Sequence, residues 1–326
     1  MCAVFGLLDF KGTLTSVERT RIIRALGKAA EIRGTDATGI AFVQGNGIQI
    51  QKAPKPAHLM RYRIDPNARV IMGHTRAATQ GKASHNQNNH PFPGKVGNLP
   101  FALAHNGVLF NDFQLQRQFN LPHTKVETDS YVAVQLLERS GKLTFKTLKE
   151  MAEQLEGSFT ITVLDKNNSL YLVKGNNLLT LYLFPKRDFY LYASTTEILD
   201  LALAELGMVD ELFASIPIKQ GDIMQIKADG NRVVERFDDT KLSMHRYYGY
   251  CGYYDWGLPI STKKTSETDA YLEEVIRYGV SRGIPEKDLR RLVDYGYDAF
   301  DIEELLFEPE LRQCCLDEIT CDVGIW

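Results

Sequence analysis

The chain opens with Met1-Cys2-Ala3-Val4-Phe5-Gly6-Leu7-Leu8, an unbroken apolar run that Asp9 cuts short. Cys2 to Leu8 reads as a buried strand that begins at the very N-terminus. It also sets a thiol directly behind the initiator methionine, where a small side chain permits removal of Met1. Cys2 would then carry a thiol and a free α-amino group together. An α-amine titrates near pH ~8, so it can take the thiol proton directly or through one water. From position alone, the plainer reading of Cys2 is a small buried strand residue.

Working outward, Thr15-Ser16-Val17-Glu18 is a capping box, and Ile22, Ile23, Leu26, Ala29 and Ala30 follow at helical spacing. That helix is expected to stop at Arg33-Gly34. Ile40 to Gln44 and Ile48 to Lys52 read as a hairpin, and Val70 to His74 and Phe101 to His105 as two more strands. Gln80 to Pro100, rich in Gly, Asn and Pro, reads as one long loop, and such loops are usually functional or disordered. Ser130 to Glu138 and Thr144 to Leu155 are helical by pattern. Short strands follow at Ser158 to Leu164, Leu170 to Val173, Leu179 to Phe184 and Phe189 to Ala193. Thr196 to Leu206 is then a helix, and Ile223 to Ile226 and Arg232 to Arg236 close the run. Many antiparallel strands with a few helices make an α+β architecture.

The expected organisation is one domain over residues 1–242, an aromatic connector over 243–265 and a small helical extension over 266–326. The connector is marked by Tyr247, Tyr248, Tyr250, Tyr253, Tyr254 and Trp256. Composition bounds what this can be. The chain has 326 residues, 44% hydrophobic and 24% charged, with a net charge of −3. Nothing there calls for nucleic acid or a membrane surface. Five cysteines, an odd number with no C-x-x-C pair, fit neither a disulfide framework nor an ordinary zinc site. With no apolar run of spanning length and no signal sequence, a cytoplasmic protein is expected. No metal and no cofactor are expected.

Several short motifs each have two readings. Arg33-Gly34-Thr35-Asp36-Ala37-Thr38-Gly39 is a glycine-rich turn or part of a site. Arg76, at the end of Gly73-His74-Thr75-Arg76, is a surface ion-pair partner or a two-pronged clamp for a carboxylate. Asn106-Gly107 is a hairpin turn or a pair of N–H donors for a developing oxyanion. Asp129, in Glu127-Thr128-Asp129-Ser130, caps a helix or holds an ammonium.

Taken in order, these motifs resemble the N-terminal nucleophile glutamine amidotransferases, the class II glutaminase domain that opens amidophosphoribosyltransferase and glucosamine-6-phosphate synthase. The matching stretches are Met1 to Gly6, the R-G-x-D-x-x-G run from Arg33, Gly73-His74-Thr75-Arg76 with Thr79, Ala104-His105-Asn106-Gly107, and Glu127 to Ser130; the resemblance covers about residues 2 to 240. It implies a four-layer αββα fold with the cysteine at the head of a central strand. It also implies that Cys2 is the nucleophile, Asn106 and Gly107 the oxyanion hole, and Arg33 the group that orients the N-terminal residue. Arg76 would pair the α-carboxylate of glutamine, Asp129 its α-ammonium, and Thr79 would line the pocket. Gln80 to Pro100 would be a lid, with Gly81, Gly94 and Gly97 allowing its motion. Gln80 and Tyr131 depart from the family pattern without removing a group the chemistry needs.

No synthase motif is found beyond residue 242. The expected activity is therefore hydrolysis of the glutamine amide through a Cys2 thioester, with ammonia passed to a separate synthase docked through the C-terminal region. The alternatives are a free-standing hydrolase of a larger γ-glutamyl amide and a binding module that has lost catalysis.

Overall fold

Strand β1, Ala3–Asp9, is buried at every one of its residues, as its apolar run requires. Its alternation sends Ala3, Phe5 and Leu7 into one core and Val4 and Leu8 into another, so both faces of the strand are covered. The computed structural model describes residues 2–78, 80–242, 266–297, 299–307 and 309–322. The chain divides into two compact units, Met1–Asp239 and Thr240–Trp326.

In the first unit β1 lies between β4 (Val70–Arg76) and β10 (Phe189–Ala193), antiparallel to both. β4 pairs on with β2 (Ala37–Gln44), and β2 with β3 (Gly47–Ala53) at one edge. On the other side β10 pairs with β9 (Thr180–Phe184), and β9 with the short β11 (Ala214–Ser215). The second sheet runs in the order β13 (Arg232–Arg236), β12 (Asp222–Ile226), β8 (Leu170–Lys174), β7 (Gly157–Asp165), β6 (Leu99–Leu109), β5 (Phe92–Val96). All its pairings are antiparallel.

The sheets face each other across a core that joins Val4, Leu8 and Met72 of the first to Ala104, Leu172 and Met224 of the second. Helices α1 (Ser16–Ala29) and α5 (Thr196–Leu206) cover the first sheet, with Ile23, Leu26, Ile198 and Leu199 packed against Phe5 and Leu7. A short α2 (Asp112–Gln118) precedes α3 (Tyr131–Ser140) and α4 (Phe145–Gln154), which meet β5 and β12 of the second sheet. The layers are thus αββα. α1 carries the capping box at Thr15 and Glu18, with both reciprocal bonds made.

One local expectation fails, and one open reading closes. Gln80 to Pro100 is not one loop: it holds a 3₁₀ turn at Asn86–Asn88, then β5 and the start of β6. Gly94 lies within β5, where a Cβ would fall 2.2 Å from the Phe101 ring. It is there for packing, not for motion. Asn106-Gly107 is no hairpin turn either, because both residues sit inside β6, opposite Thr160 and Phe159 of β7.

The second unit is helical: α6 (Ser266–Ser281), α7 (Glu286–Tyr295), α8 (Ala299–Phe307) and α9 (Pro309–Asp322). Leu289, Leu292, Ile302 and Leu305 are buried there. The expected aromatic connector lies outside the described residues. Among the described residues, no helix is long and apolar enough to cross a membrane.

Candidate active site

Cys2 stands half-buried just ahead of β1, so the sheet core fixes where its backbone emerges. Arg33 Nε donates to the Cys2 carbonyl at 2.7 Å, and the Cys2 thiol reaches the Ala77 carbonyl at 3.4 Å. The Arg33 to Gly39 run does two further jobs here. Asp36 N–H donates to the Arg76 carbonyl at 2.9 Å, and Asp36 Oδ2 accepts from Ala78 N–H at 2.8 Å. Gly34 lets this turn close on the end of β4, since a Cβ there would stand 2.5 Å from the Arg76 carbonyl carbon. The turn therefore clasps Arg76, Ala77 and Ala78 beside the thiol. Burial pushes the Cys2 thiol up, against the opposing pull of Arg76 and Arg33.

Arg76 is buried, and its guanidinium is the hub of the segment that follows. One terminal nitrogen donates to Asn89 Oδ1 at 2.8 Å; the other donates to the Gly81 carbonyl at 2.9 Å and to the Gln80 carbonyl. Burial lowers the Arg76 pKa, while Cys2, Asp129, Asp36 and Glu127 all act to raise it, so these charges converge on one spot. Asp129 is buried too. Its Oδ2 accepts Leu109 N–H at 2.6 Å and its Oδ1 accepts from Ser130 Oγ at 3.1 Å. Ser130 Oγ lies 2.8 Å from His105 Nδ1, and His105 Nε2 lies 3.3 Å from the Ser158 carbonyl.

Asn106 and Gly107 owe their position to β6. The Asn106 amide donates to Asn177 Oδ1 at 3.0 Å and to Ser194 Oγ at 3.2 Å. Ser194 in turn accepts from Val4 N–H at 2.9 Å, which ties this amide to β1 and hence to the Cys2 end of the first sheet. Gly107 has φ +136°, and a Cβ on it would meet the Ser158 carbonyl oxygen at 1.9 Å. Only glycine fits.

The structure thus gathers Cys2, Arg33 and Arg76 directly, sets Asp129 within electrostatic reach of Arg76, and ties Asn106 to the strand behind Cys2. Thr79 lies outside the described residues. Asn177, Ser194, Asn89, His105 and Ser130 hold these groups and were missed from sequence. Asn177 reads as a loop polar residue and Ser194 as a helix-start residue, so neither carries a local signal. Among the described residues, no group of three His, Cys, Asp or Glu side chains could hold a metal ion.

A glutamine amidotransferase domain family matches residues 74–200. The glutamine–fructose-6-phosphate aminotransferase of Sulfurisphaera tokodaii is 29% identical over 242 residues, covering 70% of this chain and 40% of that protein. The Bacillus subtilis protein of the same name is 30% identical over 253 residues, covering 76% and 39%. The chain therefore spans about two fifths of the length of these relatives. Among solved structures, glutamine phosphoribosylpyrophosphate amidotransferase from B. subtilis superposes with a TM-score of 0.59 at 23% identity, over 73% of this chain and 49% of that one. That likeness is one of fold. Family match, sequence relatives and shared fold point the same way: the chain carries a class II, N-terminal nucleophile glutamine amidotransferase domain.

Proposed function

We propose that the chain hydrolyses the side-chain amide of glutamine to glutamate and ammonia, with Cys2 as nucleophile once Met1 has been removed. The observation that supports this most is the placement of Cys2. It sits at the head of a central buried strand, with its carbonyl held by Arg33 and its thiol on the Ala77 carbonyl. The buried thiol is a poor nucleophile until deprotonated, and the freed α-amine, with a pKa near ~8, is the base at hand. Sulfur adds to the amide carbon, and the carbonyl oxygen takes the charge. The Gly107 N–H, and the Asn106 amide once it gives up one of its two partners at Asn177 and Ser194, stabilise that oxyanion. The amine returns its proton to the leaving nitrogen, ammonia departs, and water cleaves the γ-glutamyl thioester.

Selectivity for a free amino acid comes from Arg76 on the α-carboxylate and Asp129 on the α-ammonium. To accept a carboxylate, Arg76 exchanges carbonyl partners at Gln80 and Gly81, so substrate binding draws the 80–89 segment into the event. The ammonia passes to a separate synthase that docks through the C-terminal region, and the cytoplasm is the compartment that suits a reduced Cys2.

The test is glutamate release from glutamine by the intact chain, with mass spectrometry to establish that Met1 is absent, beside Cys2→Ala. The expected result is release by the parent and none by the variant, with the melting temperature unchanged to within about 2 °C. Release by Cys2→Ala overturns the mechanism. Preference for a larger γ-glutamyl amide over glutamine moves the reading to a free-standing hydrolase.

A further inference from the structure

Strands β3 and β5 are the edge strands of the two sheets, and residues of both line one groove of about 830 Å³. That volume falls within the ~300–1,000 Å³ of small-molecule sites. The lining includes Lys52, Lys55, Arg61 and Arg63 and no aspartate or glutamate. Among the described residues, the side chains of Lys55, Arg61 and Arg63 make no hydrogen bond or ion pair. Lys55, Arg61 and Arg63 are exposed, and with Lys52 they give the lining a net positive charge that favours an anion from outside. The cationic segment is also held in place. Arg63 N–H donates to Gln51 Oε1 at 2.9 Å and Gln51 Nε2 donates back to the Arg63 carbonyl, which clamps the segment to β3. The lining also holds an aromatic pair: Tyr131, half-buried, meets Phe92 edge-on at 5.4 Å between ring centres.

We propose that this groove binds a phosphorylated small molecule, its phosphate on Lys55, Arg61 and Arg63 and its organic part along Tyr131. Guanidinium forks suit phosphate oxygens, and a half-exposed ring offers an apolar face to the remainder. The groove is wired to the site described above. Lys52 Nζ donates to the Asn89 and Pro91 carbonyls, and Asn89 Oδ1 accepts from Arg76. A bound anion that draws on Lys52 therefore loosens one end of the residue that positions Arg76. Burial, with the charge of Arg76 added, brings Lys52 down to about 8, so its ammonium form gains from a neighbouring anion. This link to glutamine rests on the proposed function, whereas binding in the groove does not.

Isothermal titration calorimetry of the intact chain with ribose 5-phosphate, AMP and inorganic phosphate tests the groove without any activity. At least one organic phosphate should bind more tightly than inorganic phosphate. The Arg61→Ala, Arg63→Ala double variant should bind it about tenfold or more weakly at an unchanged melting temperature. No binding by either organic phosphate, binding of inorganic phosphate alone, or binding indifferent to the double substitution overturns the proposal. Capture of an acidic peptide or heparin in place of the small phosphates overturns it in favour of a macromolecular partner. The KM for glutamine should shift with the bound phosphate in the parent and not in Lys52→Met; an unmoved KM in a glutamine-hydrolysing parent overturns the link and leaves the groove.

Discussion

Arg76 shows how much one side chain carries here. Its three oxygen partners lie on a segment that begins four residues downstream, so it is at once the proposed carboxylate clamp and the anchor of residues 80–89. A lysine keeps the charge but presents a single point of donors in place of a planar fork. Arg76→Lys is expected to raise the KM for glutamine about tenfold or more while kcat falls less, as steady-state kinetics will read. Asn177 belongs to the same scale. It accepts from the Asn106 amide and donates to Ser158 Oγ at 2.9 Å, so Asn177→Ala frees the amide to turn. A kcat loss of about tenfold with KM held is the expected signature of a misaimed oxyanion donor. Both residues teach the limit of reading side chains from sequence. Arg76 stands in a motif with a chemical reason and was legible. Asn177 acts across 71 positions of chain and was not.

At the level of elements, the strands whose apolar runs are unbroken were legible, and β1, β4 and β10 lie where their sequences put them. β5 was not, because Phe92-Pro93-Gly94 has the composition of a loop. An edge strand tolerates such residues, and a single ladder with β6 is enough to hold it. β6 misled for another reason. Asn-Gly is the usual dipeptide of a tight hairpin, yet here it lies mid-strand, where Gly107 adopts a positive φ that its partner strand crowds. Gly107→Ala therefore combines backbone strain with a clash against Ser158, and is expected to cost more than about 3 kcal/mol. Gly97 gives the contrast: its φ is also positive, but a Cβ there meets nothing closer than the Gly141 carbonyl oxygen at 3.7 Å. Gly97→Ala should cost about 1 kcal/mol, and urea melts of the two variants will separate them.

Over the whole molecule, three buried histidines set the acid limit. His74, His90 and His105 are all held below the ordinary value of 6.5, chiefly by burial, with His74 near about 3 and Asp129 partly opposing the shift at His105. His74 and His90 lie 4.2 Å apart between ring centres, tilted by 32°, so charging one discourages the other. A group whose pKa is lower folded than unfolded takes its proton first in the unfolded chain. Stability is accordingly intact above pH 6.5 and is lost as pH falls from there towards 3, by about 1.4 kcal/mol per pH unit for each histidine still neutral in the fold. Denaturant midpoints measured at pH 7, 6, 5 and 4 should fall ever more steeply, and replacing His90 by an apolar residue should flatten the curve.

The place of β1 between β4 and β10 also sets an order in time. β1 is made long before β10: Ala193 follows its partner Phe5 by about four fifths of the length of the first unit. Until β10 emerges, one side of the strand behind Cys2 stays open, and so does the far anchor of the Asn106 amide at Ser194. Closure of so distant a pair is slow. The strand behind Cys2 is thus flanked on both sides only when the first unit is nearly complete, so this part of the fold forms late in synthesis.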